Sequence, residues 1–314
     1  MATFQTYQSI GNREDLTDVI YNISPTDTPF MSSVGKTKAT AVYHEWQTDS
    51  LEAAAQNAVV EGADASSITV TPTTRVGNRC QISSKTIQIA GTQESVDKAG
   101  RKSEKAYQLS KASAELKRDM EKILLSNQAA VTGDASTARK LGSLQAWLET
   151  NYVGAGTAGS DGTTARVSGT DAAFTETMLK NAVKAAYEQG GNPSVLMVTP
   201  TQKQVVSGFA GIAQQRYQAP SNAPTTIVGA ADVYLSDFGT LSVVPNRFMT
   251  ADADDNGEVA FVLDPEYASI AYLRPFATNE LAKTGDSEKT QLLVEYTLEV
   301  KNEKAHAIIA DLAE

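Results

Sequence analysis

An α+β fold follows from three features of the sequence. Leu109, Ala112, Leu116, Met120, Ile123 and Leu124 recur at three- and four-residue spacing, which predicts a long amphipathic helix over 103–125. Strand-like runs precede this helix and return after it, most clearly over 292–301, where Leu292, Val294, Tyr296, Leu298 and Val300 alternate with polar residues. Between them a second unit of helices and strands begins at Asp171. The order strand, long helix, inserted unit, strands implies a first subdomain completed only by the C-terminal end.

Taken along the chain, residues 12–20 open a short amphipathic helix with Leu16, Val19 and Ile20 on one face. Pro25 and Pro29 then remove backbone donors and push their predecessors toward extended backbone, so this stretch reads as an arm lying on another surface. Segments 41–46 and 68–74 have the β-branched and aromatic content of strands, and the Ala-rich, weakly patterned 50–67 between them makes a long hairpin with a mobile tip. A further strand over 81–89 carries Ile82, Thr86, Ile87 and Ile89, and Cys80 beside it reads as a small apolar residue in a strand. The helix over 103–125 is roughly 34 Å long at about 1.5 Å per residue.

Residues 151–170 are Gly, Thr, Ala and Ser with little periodicity, which reads as an exposed loop or connection. Phe174, Met178, Leu179, Ala182, Val183 and Ala186 place a helix over 171–189, stopped by Gly190-Gly191. A buried strand over 195–198, a helix over 201–209, and strands at 233–235 and 241–244 separated by Asp237-Phe238-Gly239 complete this unit. Strands over 260–263, 268–273 and 292–301 end the chain.

Composition narrows the function. The 314 residues are 41% hydrophobic and 20% charged, enough for a substantial core, and no apolar run approaches the ~20 residues of a membrane span. Met1-Ala2-Thr3-Phe4-Gln5-Thr6 lacks the basic start and apolar stretch of a secretory signal, so the chain is expected to fold in the cytosol. With Cys80 alone there is no intrachain disulfide and no Cys-rich metal site. A net charge of −10 opposes a role in gripping phosphate backbones; nucleic acid nearby would be held loosely.

Two charge features stand out against this background. Glu45, Asp49, Glu52, Glu61 and Asp64 lie in a stretch from Tyr43 to Thr74 that contains no Lys or Arg, with His44 read as neutral. Such a hairpin is either a solvated loop kept soluble by charge or a face for a basic partner. Lys98, Arg101, Lys102 and Lys105 crowd the start of the long helix, where acids would match the helix dipole, so they are either solvated or await an external anionic partner.

No catalytic, cofactor or metal site emerges. His44 and His306 are the only histidines, and no Gly-x-Ser-x-Gly signature accompanies them. Val34-Gly35-Lys36-Thr37 resembles the end of a phosphate loop, yet Phe30 stands where its first glycine belongs. Asp252-Ala253-Asp254-Asp255-Asn256-Gly257 resembles half of a calcium loop, but Leu263 replaces the bidentate Glu, and a hairpin turn accounts for it better.

Longer strings are more informative. Ile20-Tyr21-Asn22-Ile23-Ser24-Pro25-Thr26-Asp27-Thr28-Pro29-Phe30, His44-Glu45-Trp46, Gly91-Thr92-Gln93 followed by Val96-Asp97-Lys98-Ala99-Gly100-Arg101, Val244-Pro245-Asn246-Arg247-Phe248, Tyr272-Leu273-Arg274-Pro275-Phe276 and Lys283-Thr284-Gly285-Asp286-Ser287 together resemble the SU10-type major capsid proteins of tailed phages. The resemblance spans almost the whole chain, and its specificity lies in the number and order of the strings.

That resemblance implies the HK97-type fold: an N-terminal arm over 1–38, an E-loop hairpin over 39–88, a P-domain over 89–170 carrying the spine helix, an A-domain over 171–260, and strands over 261–314 that complete the P-domain. It implies a non-enzymatic subunit that assembles with its own copies, as hexamers and pentamers, into the icosahedral head around phage DNA. The expected location is the virion capsid, assembled in the host cytoplasm, with DNA contacted weakly and without sequence specificity and no membrane involved. Portal, scaffold and decoration proteins are partners it leaves open; any scaffold is expected to be a separate chain, and no signature identifies a Lys–Asn crosslinking pair. An E-loop of this fold lies across a neighbouring subunit near its spine. The acidic hairpin residues Glu45, Asp49, Glu52, Glu61 and Asp64 are therefore expected to face Lys98, Arg101, Lys102 and Lys105 of the next copy. The competing readings are another self-assembling surface or fibre protein and, after it, an unrecognised hydrolase.

Overall fold

The computed structural model describes residues 27–64, 67, 70–97, 102–209, 232–249 and 258–313. The helix expected over 12–20 and the Asp252–Gly257 turn lie outside them. In chain order the elements are α1 (Pro29–Ser33), β1 (Gly35–Lys38), β2 (Tyr43–Thr48), β3 (Thr74–Arg79), β4 (Gln81–Ala90), α2 (Gly91–Ser95), α3 (Glu104–Leu125), α4 (Leu144–Trp147), β5 (Tyr152–Val153) and α5 (Glu176–Glu188). They continue with β6 (Val195–Val198), α6 (Pro200–Ser207), β7 (Val233–Ser236), β8 (Gly239–Pro245), β9 (Ala260–Leu263), β10 (Ala268–Leu281), β11 (Ser287–Val300) and β12 (Ala307–Ile309). The strands form a four-stranded sheet β1-β10-β11-β4, a six-stranded sheet β5-β12-β9-β6-β8-β7 and the two-stranded hairpin β2-β3.

Helix α3 forms as its stripe predicts. The Ser103 hydroxyl caps it by accepting from the Ala106 amide at 3.2 Å. Ala112, Leu116, Met120 and Leu124 are buried, with Leu109 and Ile123 packed half-buried beside them. They share one core with Leu292, Val294, Tyr296, Leu298 and Val300 of β11 and with Met197, Phe261, Leu263 and Ile308 of the six-stranded sheet. The other face of that sheet carries a second core, where Leu196, Val198, Ala260, Val262, Ala307 and Ile309 meet α5 and α6. Strands β6, β9 and β12 are thus covered on both faces, which is why β6 and β9 read as unbroken apolar runs.

Several expectations are redrawn by the strands. Residues 27–38, assigned to the arm, belong to the body: Phe30 and Met31 enter the first core and β1 pairs parallel with β10, Gly35 opposite Ser269. The returning hairpin strand is Thr74–Arg79, with Tyr43 opposite Arg79 and Thr48 opposite Thr74, and residues 70–73 lie outside it. Pro72 offers no amide hydrogen and prevents the ladder from continuing toward the tip. In β4, Ile87 and Ile89 face inward while Ile82 is 47% exposed, so the apolar residues divide between the two faces.

Residues 151–170 are not simply an exposed loop. Bridges Thr157 to Val167 and Ser160 to Thr164 fold the segment on itself. Arg166 is buried and pairs with Asp311 at 2.7 Å, pinning it to the C-terminal strand region. The stretch 261–314 serves both sheets: β10 and β11 complete the four-stranded one, while β9 and β12 lie in the six-stranded one. The short apolar β12 carried too little pattern to be read alone. Cys80 sits between β3 and β4 in a small cluster with Ala39 and Ala271, and burial pushes its thiol up to about 11.

Candidate functional site

The two histidines are committed to structure. His306 is buried, and its Nδ1 accepts from the Asp264 amide at 3.2 Å; burial pushes the imidazole down to about 4. His44 Nε2 lies 3.4 Å from Glu299 Oε2, which also accepts from the Thr37 hydroxyl at 2.7 Å. One carboxylate of β11 therefore joins β1 and the base of the hairpin. Among the described residues no group of three His, Cys, Asp or Glu side chains is placed to hold a metal ion, and no helix is long and apolar enough to cross a membrane.

The base of the hairpin is fixed to the body. Asn78 of β3 is buried and donates from Nδ2 to the carbonyls of Gly142 and Leu298, both at 2.8 Å, while its Oδ1 accepts from the Gly142 amide at 2.8 Å. Trp46 of β2 packs against Trp147 of α4 with centroids 5.4 Å apart and planes tilted by 40°, and the His44 ring lies 5.9 Å from Trp46. Beyond this base, residues 49–64 are exposed throughout, including Leu51, Val59 and Val60. A hairpin clamped at one end and uncovered along its tip presents acids and apolar side chains outward.

The expected acidic residues are not equivalent. Glu45 is bound by Arg75 across the hairpin, its Oε1 accepting from Nε at 3.1 Å, so it already has a partner within the chain. Asp49 accepts from the Ser50 amide at 2.9 Å. Glu52, Glu61 and Asp64 are exposed and form no ion pair among the described residues.

The helix start also differs from its reading. Lys98 and Arg101 lie outside the described residues. Lys102 is exposed. Lys105 is held by Glu280 at 2.8 Å and Glu288 at 3.3 Å, and those bonds raise its pKa. Acid does meet the helix dipole here, from Glu104 in the first turn and also from outside the helix: Glu94 of α2 accepts from the amides of Glu104 at 3.0 Å and Lys105 at 3.4 Å. A capping residue ten positions upstream carries no local signature, so the sequence did not point to Glu94.

The chain's resemblances bear on what such a surface is for. A family model described as SU10 major capsid protein matches residues 2–313. A major capsid protein of Escherichia phage Phieco32 is 27% identical over 343 aligned positions, covering 98% of this chain and 96% of that protein. Among solved structures, the capsid asymmetric unit of cyanophage A-1(L) superposes with a TM-score of 0.69 at 13% identity, covering 99% of both chains. The capsid of the native GTA particle computed with C5 symmetry gives a TM-score of 0.64 at 12% identity, covering 98% of this chain and 97% of that one.

Proposed function

Because the chain belongs to the SU10 major capsid protein family and is a shell-forming phage head protein of HK97-type fold, we propose that it acts by assembly alone and performs no catalysis. In this reading its oligomeric capsomers are hexamers and pentamers, built in the host cytoplasm, and they enclose DNA. A net charge of −10 favours an interior from which DNA can leave. Portal, scaffold and decoration proteins would be further partners.

The parts take the family's names: arm, E-loop around β2 and β3, spine helix α3 in the P-domain, and A-domain built on the six-stranded sheet. The arm-to-body transition then falls near Thr28, and β5, β9 and β12 join the A-domain sheet. The hairpin tip, through Asp49, Glu52, Glu61 and Asp64, meets Lys98, Arg101 and Lys102 of the next copy, with Glu45 and Lys105 shared between internal partners and that contact. The observation that carries this is the uncovered acidic tip on a base locked by Asn78. Each exposed pair contributes only ~0–1 kcal/mol, so the effect is one of register, repeated around a closed ring.

Charge reversal tests it. Lys98→Glu, Arg101→Glu and Lys102→Glu together should abolish normal shells, and adding Glu52→Lys, Glu61→Lys and Asp64→Lys should restore them. Normal shells from the first variant would overturn the pairing.

A further inference from the structure

Glu121 on α3 is buried, and among the described residues no cation lies in its hydrogen-bond shell. Its Oε1 accepts from the Phe30 amide at 2.7 Å and from Asn246 Nδ2 at 2.7 Å, and its Oε2 accepts from the Met31 amide at 2.9 Å. These donors come from two distant parts of the subunit. Phe30 and Met31 belong to α1, which leads directly into β1 of the four-stranded sheet. Asn246 follows β8 of the six-stranded sheet, and its own amide donates to the Val198 carbonyl of β6 at 2.8 Å. Its Oδ1 accepts from the Phe248 amide at 2.9 Å, so the side chain is fixed at both ends.

We infer that Glu121 is a positioning residue that sets the angle between the two sheet units, and through that angle the curvature of the shell. The inference rests on the shell-forming role and is independent of the charge pairing proposed for the hairpin. A leucine at this position would fill the space but leave the Phe30 and Met31 amides and Asn246 Nδ2 buried without their acceptor. Three directional bonds to one carboxylate do something packing does not: they fix where α1 and the end of β8 stand relative to α3. Burial raises the pKa of the Glu121 carboxyl, and the bonds from Met31, Phe30 and Asn246 work against that rise. In a closed shell a small change in the angle between units is multiplied at every contact around the ring.

The test compares shells of the full chain by electron microscopy, with melting temperature measured in parallel. Glu121→Gln turns one acceptor into a donor facing an amide hydrogen, and Asn246→Ala removes only the β8 side of the joint. Leu179→Ala, buried in the second core, serves as a variant destabilised away from the joint. Most shells of Glu121→Gln and Asn246→Ala should depart from the wild-type diameter, as mixed sizes or unclosed sheets. Leu179→Ala, despite its lower melting temperature, should keep the wild-type diameter. Wild-type diameters in both joint variants would overturn the inference, as would an equal loss of diameter in Leu179→Ala. If Glu121→Gln yields no soluble protein, the diameter of Asn246→Ala decides.

Discussion

Trp46 and Trp147, the only two tryptophans of the chain, pack against each other with ring centroids 5.4 Å apart and planes tilted by 40°, one on the hairpin and one in the core of the body. The pair seats the hairpin, because among the described residues β2 has no partner strand other than β3. Trp46→Ala should cost about 2 kcal/mol, the loss of a half-buried aromatic and its tilted ring contact. Intrinsic fluorescence of the variant, which then reports Trp147 alone, should be red-shifted as water reaches that ring. An unshifted spectrum with unchanged stability would contradict the seating role.

The spine stripe should behave as a packed core. Leu116→Ala or Met120→Ala should each lower stability by about 2–5 kcal/mol, read by denaturant unfolding, because both side chains are buried in the core that α3 shares with β11 and the six-stranded sheet. Leu51→Ser, by contrast, changes a side chain that is 99% exposed and should stay within about 0.5 kcal/mol.

Arg166 and Asp311 form a buried pair in which Asp311 also accepts from the amides of Gly156 at 2.7 Å and Gly169 at 2.9 Å and from the Tyr152 hydroxyl at 2.8 Å. Burial works to raise the Asp311 carboxyl, but these bonds and the Arg166 charge hold it below its ordinary range. Arg166→Met or Asp311→Asn should each cost about 3–5 kcal/mol in unfolding experiments, and the double variant should cost clearly less than the sum.

Stability should fall in mild acid through His306. Its imidazole titrates at about 4 in the fold, so between the ordinary histidine range near ~6.5 and that value the unfolded chain holds the extra proton. The contribution is full above about pH 6.5 and is lost as pH drops toward 4, by roughly 3 kcal/mol. Melting temperature followed from pH 7 to pH 5 should decline more steeply in the wild type than in His306→Asn. Parallel slopes would contradict this.

The long helix and the buried strands β6 and β9 were legible because each has a period or an unbroken apolar run that one segment carries by itself, whereas of the hairpin the outgoing strand was legible and the returning one was placed too early. What escaped depended on partners far away in the chain. Glu94 as the cap of α3, Arg166 paired with Asp311, and Asn78 locking the hairpin are polar residues whose roles appear only when the fold brings their partners near. Arg75 lies one residue beyond the stretch read as free of bases, and that one step gave Glu45 its partner. Glu121 did leave a trace, an acid beside Met120 and Leu124 on the apolar side of the helix. The strings ending in Phe30 and containing Asn246 turn out to meet at that acid.

Electron microscopy of the purified, overexpressed full chain tests the central claim most directly. Closed shells, or the ring-shaped capsomers from which they are built, are the expected result. Flat sheets, fibres, or soluble monomers alone under conditions that retain the folded protein would contradict it.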